Sequence, residues 1–471
     1  MKLTVDPSLG IPLTDQIVNG VREWIRTPEA RVGTKLPSIR QLAASHGISR
    51  FPVIEAYDRL VSLGLIDSRQ GSGFYVAERR SAAPSLTVVS PELVEEVSGP
   101  AWQAGQHGPG MLRLGGGFTP EDWRDMEGLS FAIRQLARMD PQSLTGYSTP
   151  LGNAVLREQV ALRLTTLGIH VDPYRIMLTH GASQALDLVI RWMLKPGDTV
   201  FIEDPGYYNL MGLLRMSGVQ MIGIPRTRHG PDLEVLEEKL REYRPKLFFV
   251  NTVFHNPTGT TMSPPNAFRV LQLAKQHHFK IVEDDVFSDF QVEPTDRLAT
   301  LDQLESVIYI GGFSKTLSSS LRVGYLVADA ESIRMMADIK TLTSITSSRF
   351  AESIVSSMLD RGAYRKYLER LRRLLGDALS RTLLSLEQAG WEVFGPPVGG
   401  HFIWARVPHV GDSQTLSKFA EQFGIAIPPG HAFYSDQRHT PWLRINVAYA
   451  SEPRAVEFFN AAAAAVELKQ A

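Results

Sequence analysis

The sequence predicts an α/β protein in which a small helix-turn-helix domain precedes a large domain built on a mainly parallel sheet. Residues 11–77 have the pattern of three helices followed by two short strands. Residues 112–471 alternate short apolar runs with helical stretches, as parallel sheets covered by helices do. Because 471 residues are too many for one core of ordinary size, we expect domains at 1–77 and 112–471, joined by a linker at 78–111.

Composition excludes several kinds of protein. The chain contains no cysteine, which excludes disulfides, thiolate metal sites and a cysteine nucleophile. Its formal net charge is −1, so any affinity for nucleic acid must come from a local basic patch. No apolar run reaches membrane-spanning length and the first residues lack a signal-peptide pattern, so we expect a cytoplasmic protein without membrane contact.

Capping residues and glycines divide the first domain into its elements. An amphipathic helix is expected after Pro12, because apolar residues recur three and four positions apart. Ser38 is a good N-cap for a second helix, and Ser49 caps a third that tolerates Pro52 in its first turn and ends at Gly64. Residues 65–69 and 73–76 then alternate as two short strands that form a wing.

A basic stripe runs along this domain. Between residues 30 and 54 there are four basic side chains of lysine or arginine and no acidic one. Such a stripe is typical of phosphate contacts. Arg50 begins the second helix of the helix-turn-helix, where base-reading side chains lie, and Gly71 and Ser72 form the wing tip. The alternative is a small helical domain whose arginines only face solvent.

The strings LPSIRQLA, SR..VIEAYDRL, LG.I and GSGFYV resemble the winged helix-turn-helix of GntR-type regulators. The resemblance implies binding to double-stranded operator DNA. The residues expected at that interface are Arg31, Lys35, Ser38, Arg40, Ser49, Arg50, Gly71 and Ser72. That family usually has Asn-Thr after the Ser-Arg pair, and Phe51-Pro52 stands there instead, so the resemblance implies the fold but not the family's base preference.

Residues 78–111 are predicted to be a linker. They contain scattered proline, glycine, serine and glutamine without sustained periodicity, and only 91–97 favours a helical turn or two. A flexible segment of roughly 30 residues spans about 30 Å. That reach allows the first domain to pack on its own large domain or on a neighbour's; the alternative is a loop packed entirely on the large domain.

The large domain has strand-like runs separated by helices. Strands are expected at 175–178, 199–202, 220–224, 247–250, 280–282 and 306–310, and helices include 183–193 and 265–277. Ligands of such sheets bind at the carboxyl ends of the strands. Polar motifs follow several of these runs, so we expect a ligand site there.

Three of these motifs are individually weak signals. Ala182 and Ser183 join a strand to a helix and offer amides, a hydroxyl and a helix dipole to a phosphate, although such sequences are usually only caps. Tyr207 could stack on a planar ring, although a lone tyrosine is more often in the core. Asn256 lies in an Asn-Pro-Thr-Gly turn and could donate to a phenolate oxygen.

Three consecutive carboxylates, residues 283–285, follow the predicted strand 280–282. Adjacent carboxylates are costly unless a cation or a metal pairs with them. A protonated pyridine nitrogen would be such a cation, and its ring would act as an electron sink. A metal is the rival reading, but the sequence has no compact cluster of His and Asp ligands to support it.

The motifs in this order, with Lys315 in GGFSK and Arg322 in LRVGY, resemble the fold-type-I aminotransferases across the whole large domain. The resemblance implies a PLP-dependent, aminotransferase-like domain with a smaller C-terminal subdomain, and pyridoxal 5'-phosphate as cofactor. Lys315 would form the aldimine, and Asp284 would hold the pyridine nitrogen. Asn256 would bind the ring hydroxyl and Tyr207 would stack. The residues expected at the phosphate are Ala182, Ser183, Ser314 and Arg322.

Two more residues follow from the resemblance. Tyr147 matches the tyrosine that reaches the neighbouring subunit's phosphate, which implies a homodimer, and Arg444 matches the arginine that binds the substrate carboxylate. The chain also departs from the family. Val286 and Phe287 stand where a tyrosine is usual, and Gly312 replaces a hydroxyl residue. Each lost donor is worth about 1 kcal/mol or more.

Both domains, in this order, resemble the MocR subfamily of bacterial transcription regulators. The resemblance implies a homodimeric, PLP-dependent regulator whose effector, an amine or amino acid, displaces Lys315 in an external aldimine and binds Arg444. Two alternatives stay open. The PVGGHFIW and GIAIPPG segments resemble working aminotransferases, so the chain could be an active enzyme with a fused DNA-binding head. Alternatively, pyridoxal phosphate itself is the signal.

Overall fold

The computed structural model describes residues 3, 5–6, 10–78, 110–140, 142–360, 362–408 and 410–470. The chain divides into two compact units, Met1–Val97 and Ser98–Ala471. Most of the predicted linker, including the helical turn expected at 91–97, lies outside the described residues. No helix in the described ranges is long and apolar enough to cross a membrane.

The N-terminal unit is the predicted winged helix-turn-helix. Its core is formed by the apolar faces of its helices, including the fully buried Ile17, Val53 and Tyr57. Its elements are α1 (Leu13–Ile25), α2 (Ile39–Ser45), α3 (Arg50–Ser62), β1 (Ile66–Arg69) and β2 (Gly73–Val76). The two strands pair antiparallel and form the wing.

The two serine caps behave differently. Ser38 forms a capping box, in which its hydroxyl accepts from the Gln41 amide at 3.3 Å and Gln41 Oε1 accepts from the Ser38 amide at 2.9 Å. Ser49 occupies the N-cap position of α3, but its side chain makes no capping hydrogen bond within the described residues, so that part of the prediction was wrong. The third residue of α3 is Pro52, and proline has no N–H to donate to a cap.

The large unit is built on one eight-stranded sheet. Its strands are β3 (Ile176–Thr179), β4 (Thr199–Asp204), β5 (Gln220–Thr227), β6 (Gly230–Pro231), β7 (Leu247–Val250), β8 (Lys280–Asp284), β9 (Val307–Gly312) and β10 (Gly324–Val327). The order is β3-β10-β9-β8-β7-β4-β5-β6. Strands β4, β5, β7, β8 and β9 are mutually parallel, whereas β10 runs antiparallel to both of its neighbours.

Helices cover the sheet, and a smaller sheet lies near the C-terminus. The helices are α4 (Met126–Met139), α5 (Gln142–Thr145), α6 (Ala154–Thr165), α7 (Gly181–Met193), α8 (Tyr208–Met216), α9 (Leu233–Glu242), α10 (Pro264–His277), α11 (Leu298–Asp302), α12 (Ala330–Ser344), α13 (Arg349–Asp360), α14 (Ala363–Gln388), α15 (Ser413–Glu421) and α16 (Pro453–Gln470). The smaller sheet has β11 (Glu392–Val393), β12 (Phe402–Arg406) and β13 (Leu443–Asn446), all antiparallel. It belongs to the predicted C-terminal subdomain.

All six predicted strands of the large domain are present, although four of them, β4, β5, β8 and β9, end two or three residues later than predicted. Strand β8 continues through Asp284 instead of ending at Val282, so the carboxylates alternate between its faces. Strand β10 was not predicted. Its four residues form a short apolar run, and periodicity cannot separate such a run from a buried loop or helix segment.

Candidate functional site

The described part of the large unit contains a cavity of about 270 Å³ at the carboxyl ends of its central strands. Eight of the predicted cofactor residues line it, namely Ala182, Ser183, Tyr207, Asn256, Asp284, Ser314, Lys315 and Arg322. They come from the segments that follow β3, β4, β7 and β9 and from the end of β8. The topology therefore gathers in one cavity residues that lie far apart in the sequence.

Lys315 lies three residues after β9, with its amine inside the cavity. Its Nζ donates to the carbonyl of Gly117 at 3.1 Å and lies 4.3 Å from the centre of the Phe118 ring. Burial, together with the positive charges of Arg444 and Arg322, lowers the pKa of Lys315 to about 8. A larger fraction of this amine is therefore neutral near pH 8 than for an exposed lysine.

Asp284 is the carboxylate of β8 that faces the cavity. Its Oδ1 is buried and has no hydrogen-bond partner among the described residues. Burial, and then the negative charge of Asp285, raise the pKa of Asp284 to about 7, although Lys315 opposes this shift. An unpartnered buried carboxylate oxygen is rare and indicates a missing partner, here one that carries a proton or a positive charge.

The other two carboxylates of the triplet have protein partners. Asp285 accepts from Arg297 at 2.8 Å and from the Tyr309 hydroxyl at 2.7 Å. Glu283 accepts from the amides of Leu298 and Ala299 at 3.0 and 2.8 Å, and from the hydroxyl of Thr252. Oδ1 of Asp285 also lacks a partner among the described residues, but of the three carboxylates only Asp284 lines the cavity, so it is the one that can meet a ligand there. Across the described ranges, no group of three or more acidic or histidine side chains could hold a metal ion.

The start of α7 forms an anion cradle. Gly181 has φ 73°, and a Cβ at this position would lie 2.8 Å from Nη2 of Arg322. That Nη2 donates to the carbonyl of His180 at 3.4 Å. Ser314 contributes a buried hydroxyl without a hydrogen-bond partner in the described structure. A helix N-terminus, a guanidinium and a free hydroxyl together suit a phosphate group.

Arg444 lies on β13, behind the wall that Asn256 forms. Its Nη1 donates to Asn256 Oδ1 at 2.7 Å and its Nη2 donates to the carbonyl of Gly115 at 2.6 Å. Its Nε is buried without a partner in the described residues. Because the Asn256 oxygen accepts from Arg444, the amide NH2 group of Asn256 is left for a ligand in the cavity.

Aromatic side chains form other parts of the wall. The hydroxyl of Tyr207 accepts a hydrogen bond from the side-chain Nδ2 of Asn209 at 2.9 Å, and burial raises the pKa of Tyr207. Phe287 lines the cavity and packs edge-on against His401, with ring centres 4.9 Å apart. Phe287 therefore offers an apolar surface to the cavity. Tyr147 is 76% exposed and does not line this cavity.

Sequence reasoning missed several lining residues, among them Phe118, Glu203, Asn251 and His255. Phe118 follows a run of three glycines, but nothing in that run indicates a contact with a lysine almost 200 positions later. Asn251 directly follows β7, so its place at a carboxyl strand end was the available signal.

In the N-terminal unit, all eight predicted DNA-binding residues are exposed. Arg50 is the first residue of α3. The wing adds residues that the sequence did not single out: Tyr75 shares a hydrogen bond of 2.5 Å with the Ser72 hydroxyl, and its ring centre lies 4.5 Å from the Arg69 guanidinium and 5.7 Å from the Lys35 amine. These contacts hold two cations beside the wing tip.

Comparison with known families assigns both parts of the chain. Residues 13–76 match the gntR family of bacterial regulatory proteins, and residues 109–460 match the aminotransferase class I and II family. The helix-turn-helix family implies binding to operator DNA, and the aminotransferase family implies pyridoxal 5'-phosphate as cofactor.

Individual relatives agree with this assignment. The chain is 30% identical to the uncharacterised HTH-type transcriptional regulator YisV of Bacillus subtilis, covering 94% of this chain and 93% of that protein. It is 27% identical to the probable rhizopine catabolism regulatory protein MocR of Rhizobium meliloti, covering 91% and 88%. The alpha-aminoadipate aminotransferase LysN of Thermus thermophilus, solved with N-(5'-phosphopyridoxyl)-L-leucine, superposes with a TM-score of 0.71 at 27% identity, covering 80% of this chain and 99% of that one. The chain therefore belongs to the MocR-like transcription regulators, in which a DNA-binding domain of the GntR type is fused to an aminotransferase class I and II domain.

Proposed function

We propose that this regulator holds pyridoxal 5'-phosphate at Lys315 and detects an amine or amino acid in the same cavity, which alters how its DNA-binding domains engage operator DNA. The observation that carries the proposal is that Lys315 and Asp284 line the same cavity. An amine whose pKa is lowered to about 8 and a carboxylate oxygen without a partner among the described residues face one cavity.

Each lining residue has a role in this proposal. Bound pyridoxal phosphate supplies an aldehyde that condenses with amines and a ring that withdraws electrons. Asp284 holds the pyridine nitrogen, Asn256 donates its amide NH2 group to the ring oxygen, and Tyr207 stacks on the ring. The phosphate group is held by the residues of the anion cradle, Ala182, Ser183, Ser314 and Arg322.

The effector is proposed to compete with backbone carbonyls of the protein for the hydrogen-bond donors of Lys315 and Arg444. Lys315 and Arg444 donate to the carbonyls of Gly117 and Gly115, respectively. An amino acid whose carboxylate binds Arg444 takes donors that the 115–118 segment now uses. That segment lies close to the start of the predicted large domain, and we propose that a change in its contacts is passed on to the DNA-binding domain. For regulation, the effector must bind the two arrangements with different free energies.

A covalent test of the Lys315 assignment is available. The full-length protein is loaded with pyridoxal phosphate, reduced with borohydride and digested, and the modified lysine is identified by mass spectrometry. Lys340 is an internal control, because it is also buried with a pKa lowered to about 8, yet its Nζ donates to the carbonyls of Pro150 and Leu178 and to Ser347. We expect the adduct on Lys315 alone. An adduct on Lys340 with Lys315 unmodified would overturn the proposal.

A second function, aminotransferase activity, is favoured by the presence of Lys315 and Asp284 in one cavity, with Arg444 bonded to the side chain of Asn256, which also lines it. Val286 and Phe287 argue for reduced efficiency, because neither can donate to the ring oxygen. Sustained formation of a keto acid would identify an enzyme. A response to pyridoxal phosphate alone, with no response to amines, would identify the cofactor itself as the signal.

A further inference from the structure

Asn251 connects the two sides of the cavity. It follows β7, the neighbour of β8 in the sheet. Its Nδ2 donates to the backbone carbonyl of Asp284 at 2.5 Å, and its Oδ1 accepts from the backbone amide of Asn256 at 2.8 Å. One carboxamide therefore links the backbones of the two residues that, in the proposed function, hold opposite polar atoms of the cofactor ring.

The backbone of Asn251 is itself fixed. Its amide donates to Glu203 Oε2 at 2.8 Å, and its carbonyl accepts from Arg226 Nη1 at 3.2 Å. Glu203 and Arg226 form a buried ion pair, and Arg226 also donates to the Thr260 hydroxyl at 3.2 Å. This buried ion pair therefore fixes the backbone of Asn251 at both its amide and its carbonyl. Because the backbone is fixed, the side chain of Asn251 has little freedom to move.

The other side-chain contacts of Asp284 and Asn256 are not shared between them. The Oδ1 of Asp284 is unpartnered within the described residues, and the side chain of Asn256 bonds Arg444, which lies on another sheet. The carboxamide of Asn251 thus contacts the backbones of both residues. A small shift of this carboxamide moves both cofactor contacts together.

We infer that Asn251 is a positioning residue that sets the spacing between the Asp284 carboxylate and the Asn256 amide. The inference rests on the proposed function, because it takes those two groups as cofactor contacts. Asn251 does not itself contact the ring in this account. Positioning partners of this kind commonly affect ligand binding by tenfold or more when they are removed.

The test measures the dissociation constant of pyridoxal phosphate and the pH titration of its visible absorbance in the full-length protein. Asn251→Ala removes both bonds, together with a longer bond from Nδ2 to the Val253 carbonyl at 3.4 Å. Asn251→Asp keeps the shape and the acceptor but removes the donor to the Asp284 carbonyl, so it remains informative where the alanine variant folds poorly. Asn266→Ala is the matched control, since Asn266 is a buried asparagine of the same domain that donates to the Pro231 carbonyl outside the cavity.

We expect Asn251→Ala to weaken cofactor binding about tenfold or more and to shift the midpoint of the absorbance titration, and Asn266→Ala to change neither. A double-mutant cycle separates positioning from general stability. If Asn251 acts through Asn256, Asn251→Ala has a smaller effect in the Asn256→Ala background than in the wild type.

Three results would contradict this account, and they distinguish the positioning role of Asn251 from the proposed function. Unchanged binding and an unchanged titration in both Asn251 variants, with a wild type that binds the cofactor, overturn the positioning role alone. Fully additive effects of Asn251→Ala and Asn256→Ala overturn the part of the inference that runs through Asn256. A wild type that shows no bound cofactor overturns the proposed function, and this inference with it.

Discussion

At the scale of single residues, the proposed function makes the capture of an aldehyde depend on the protonation of Lys315. The attacking species is the neutral amine, and burial lowers the pKa of Lys315 to about 8. An ordinary lysine has a pKa of about 10.4, so its neutral fraction is far smaller at neutral pH. The hydrogen bond to Gly117 places this amine on the cavity side of the 115–118 segment.

We therefore predict how the rate of pyridoxal phosphate capture by the apoprotein depends on pH. The rate should rise with pH up to about 8 and then level off, because the amine is mostly neutral above its lowered pKa. Stopped-flow absorbance measures it, and Lys315→Arg provides a protein without the reactive amine. A rate that keeps rising until about pH 10 would show that Lys315 titrates like an exposed lysine.

Residue identities were easier to predict than their contacts. The row of three carboxylates did not by itself indicate which one faces a ligand, and Asp284 was predicted only from the family resemblance. The alternation along β8 decides this, because Glu283 and Asp285 point away from the cavity to Thr252 and Arg297. The roles of Phe118 and Asn251 depend on tertiary contacts, which no local pattern encodes.

At the scale of secondary structure elements, the N-terminus of α7 is the anion cradle. Its first residue, Gly181, combines a positive φ with close contact to Arg322. Two costs therefore follow from adding a Cβ there: strain in the left-handed backbone and displacement of the guanidinium.

A matched pair of glycine variants separates these costs. Gly181→Ala should lower stability by about 1 kcal/mol and also weaken binding of pyridoxal phosphate and inorganic phosphate. Gly197 has φ 89° with no atom near a built Cβ among the described residues, so Gly197→Ala should show the loss of stability without the loss of binding. Thermal unfolding and equilibrium binding are the measurements. Equal cofactor affinity in the two variants would contradict the cradle.

The helix α3 and the wing are the elements expected to contact DNA. Arg50→Ala should weaken binding to DNA that the protein selects from a random pool by about 1–3 kcal/mol of binding free energy. Binding to other sequences should weaken much less. Lys35→Ala should weaken binding to all sequences and reduce the slope of log affinity against log salt by about 1. Arg22→Ala, an exposed arginine of α1 outside the basic stripe, is the control. Identical sequence preference in Arg50→Ala and wild type would remove Arg50 from base recognition.

Elements with strong periodicity or caps were predictable, and the exceptions have local causes. The capping box at Ser38 was readable from Ser-x-x-Gln, whereas the Ser49 cap failed because Pro52 lacks the N–H that a cap needs. The antiparallel β10 was not predicted, since strand direction depends on pairing partners that are distant in sequence.

At the scale of the whole molecule, Tyr147 bears on the proposed homodimer. It is 76% exposed and lies outside the cavity, so within one chain it has no ligand to contact there. The family resemblance predicts that it serves the phosphate of the neighbouring subunit. The order of the two domains along the chain could be predicted from the sequence. Contact between Tyr147 and the phosphate of a neighbouring subunit depends on how two chains assemble, which the pattern of one sequence does not encode.

Hybrid dimers test this. Tyr147→Phe alone should weaken pyridoxal phosphate binding about tenfold in every site. A dimer with one Tyr147→Phe chain and one Lys315→Ala chain should contain one site of wild-type affinity, because its lysine and its tyrosine come from different chains. Absence of any such site in the hybrid would show that the tyrosine acts within its own subunit.

The central claim is that an amine or amino acid bound beside Lys315 and Arg444 changes the engagement of DNA. The most direct measurement titrates amino acids, amines and taurine-like acids into the full-length protein loaded with pyridoxal phosphate, and records visible absorbance and the DNA footprint together. We predict that one compound shifts the absorbance to a new, lasting band and changes the footprint, and that Arg444→Gln loses both responses to a carboxylate-bearing effector. An absorbance that decays and is restored by a keto acid, with an unchanged footprint, would contradict the claim and identify a transaminase.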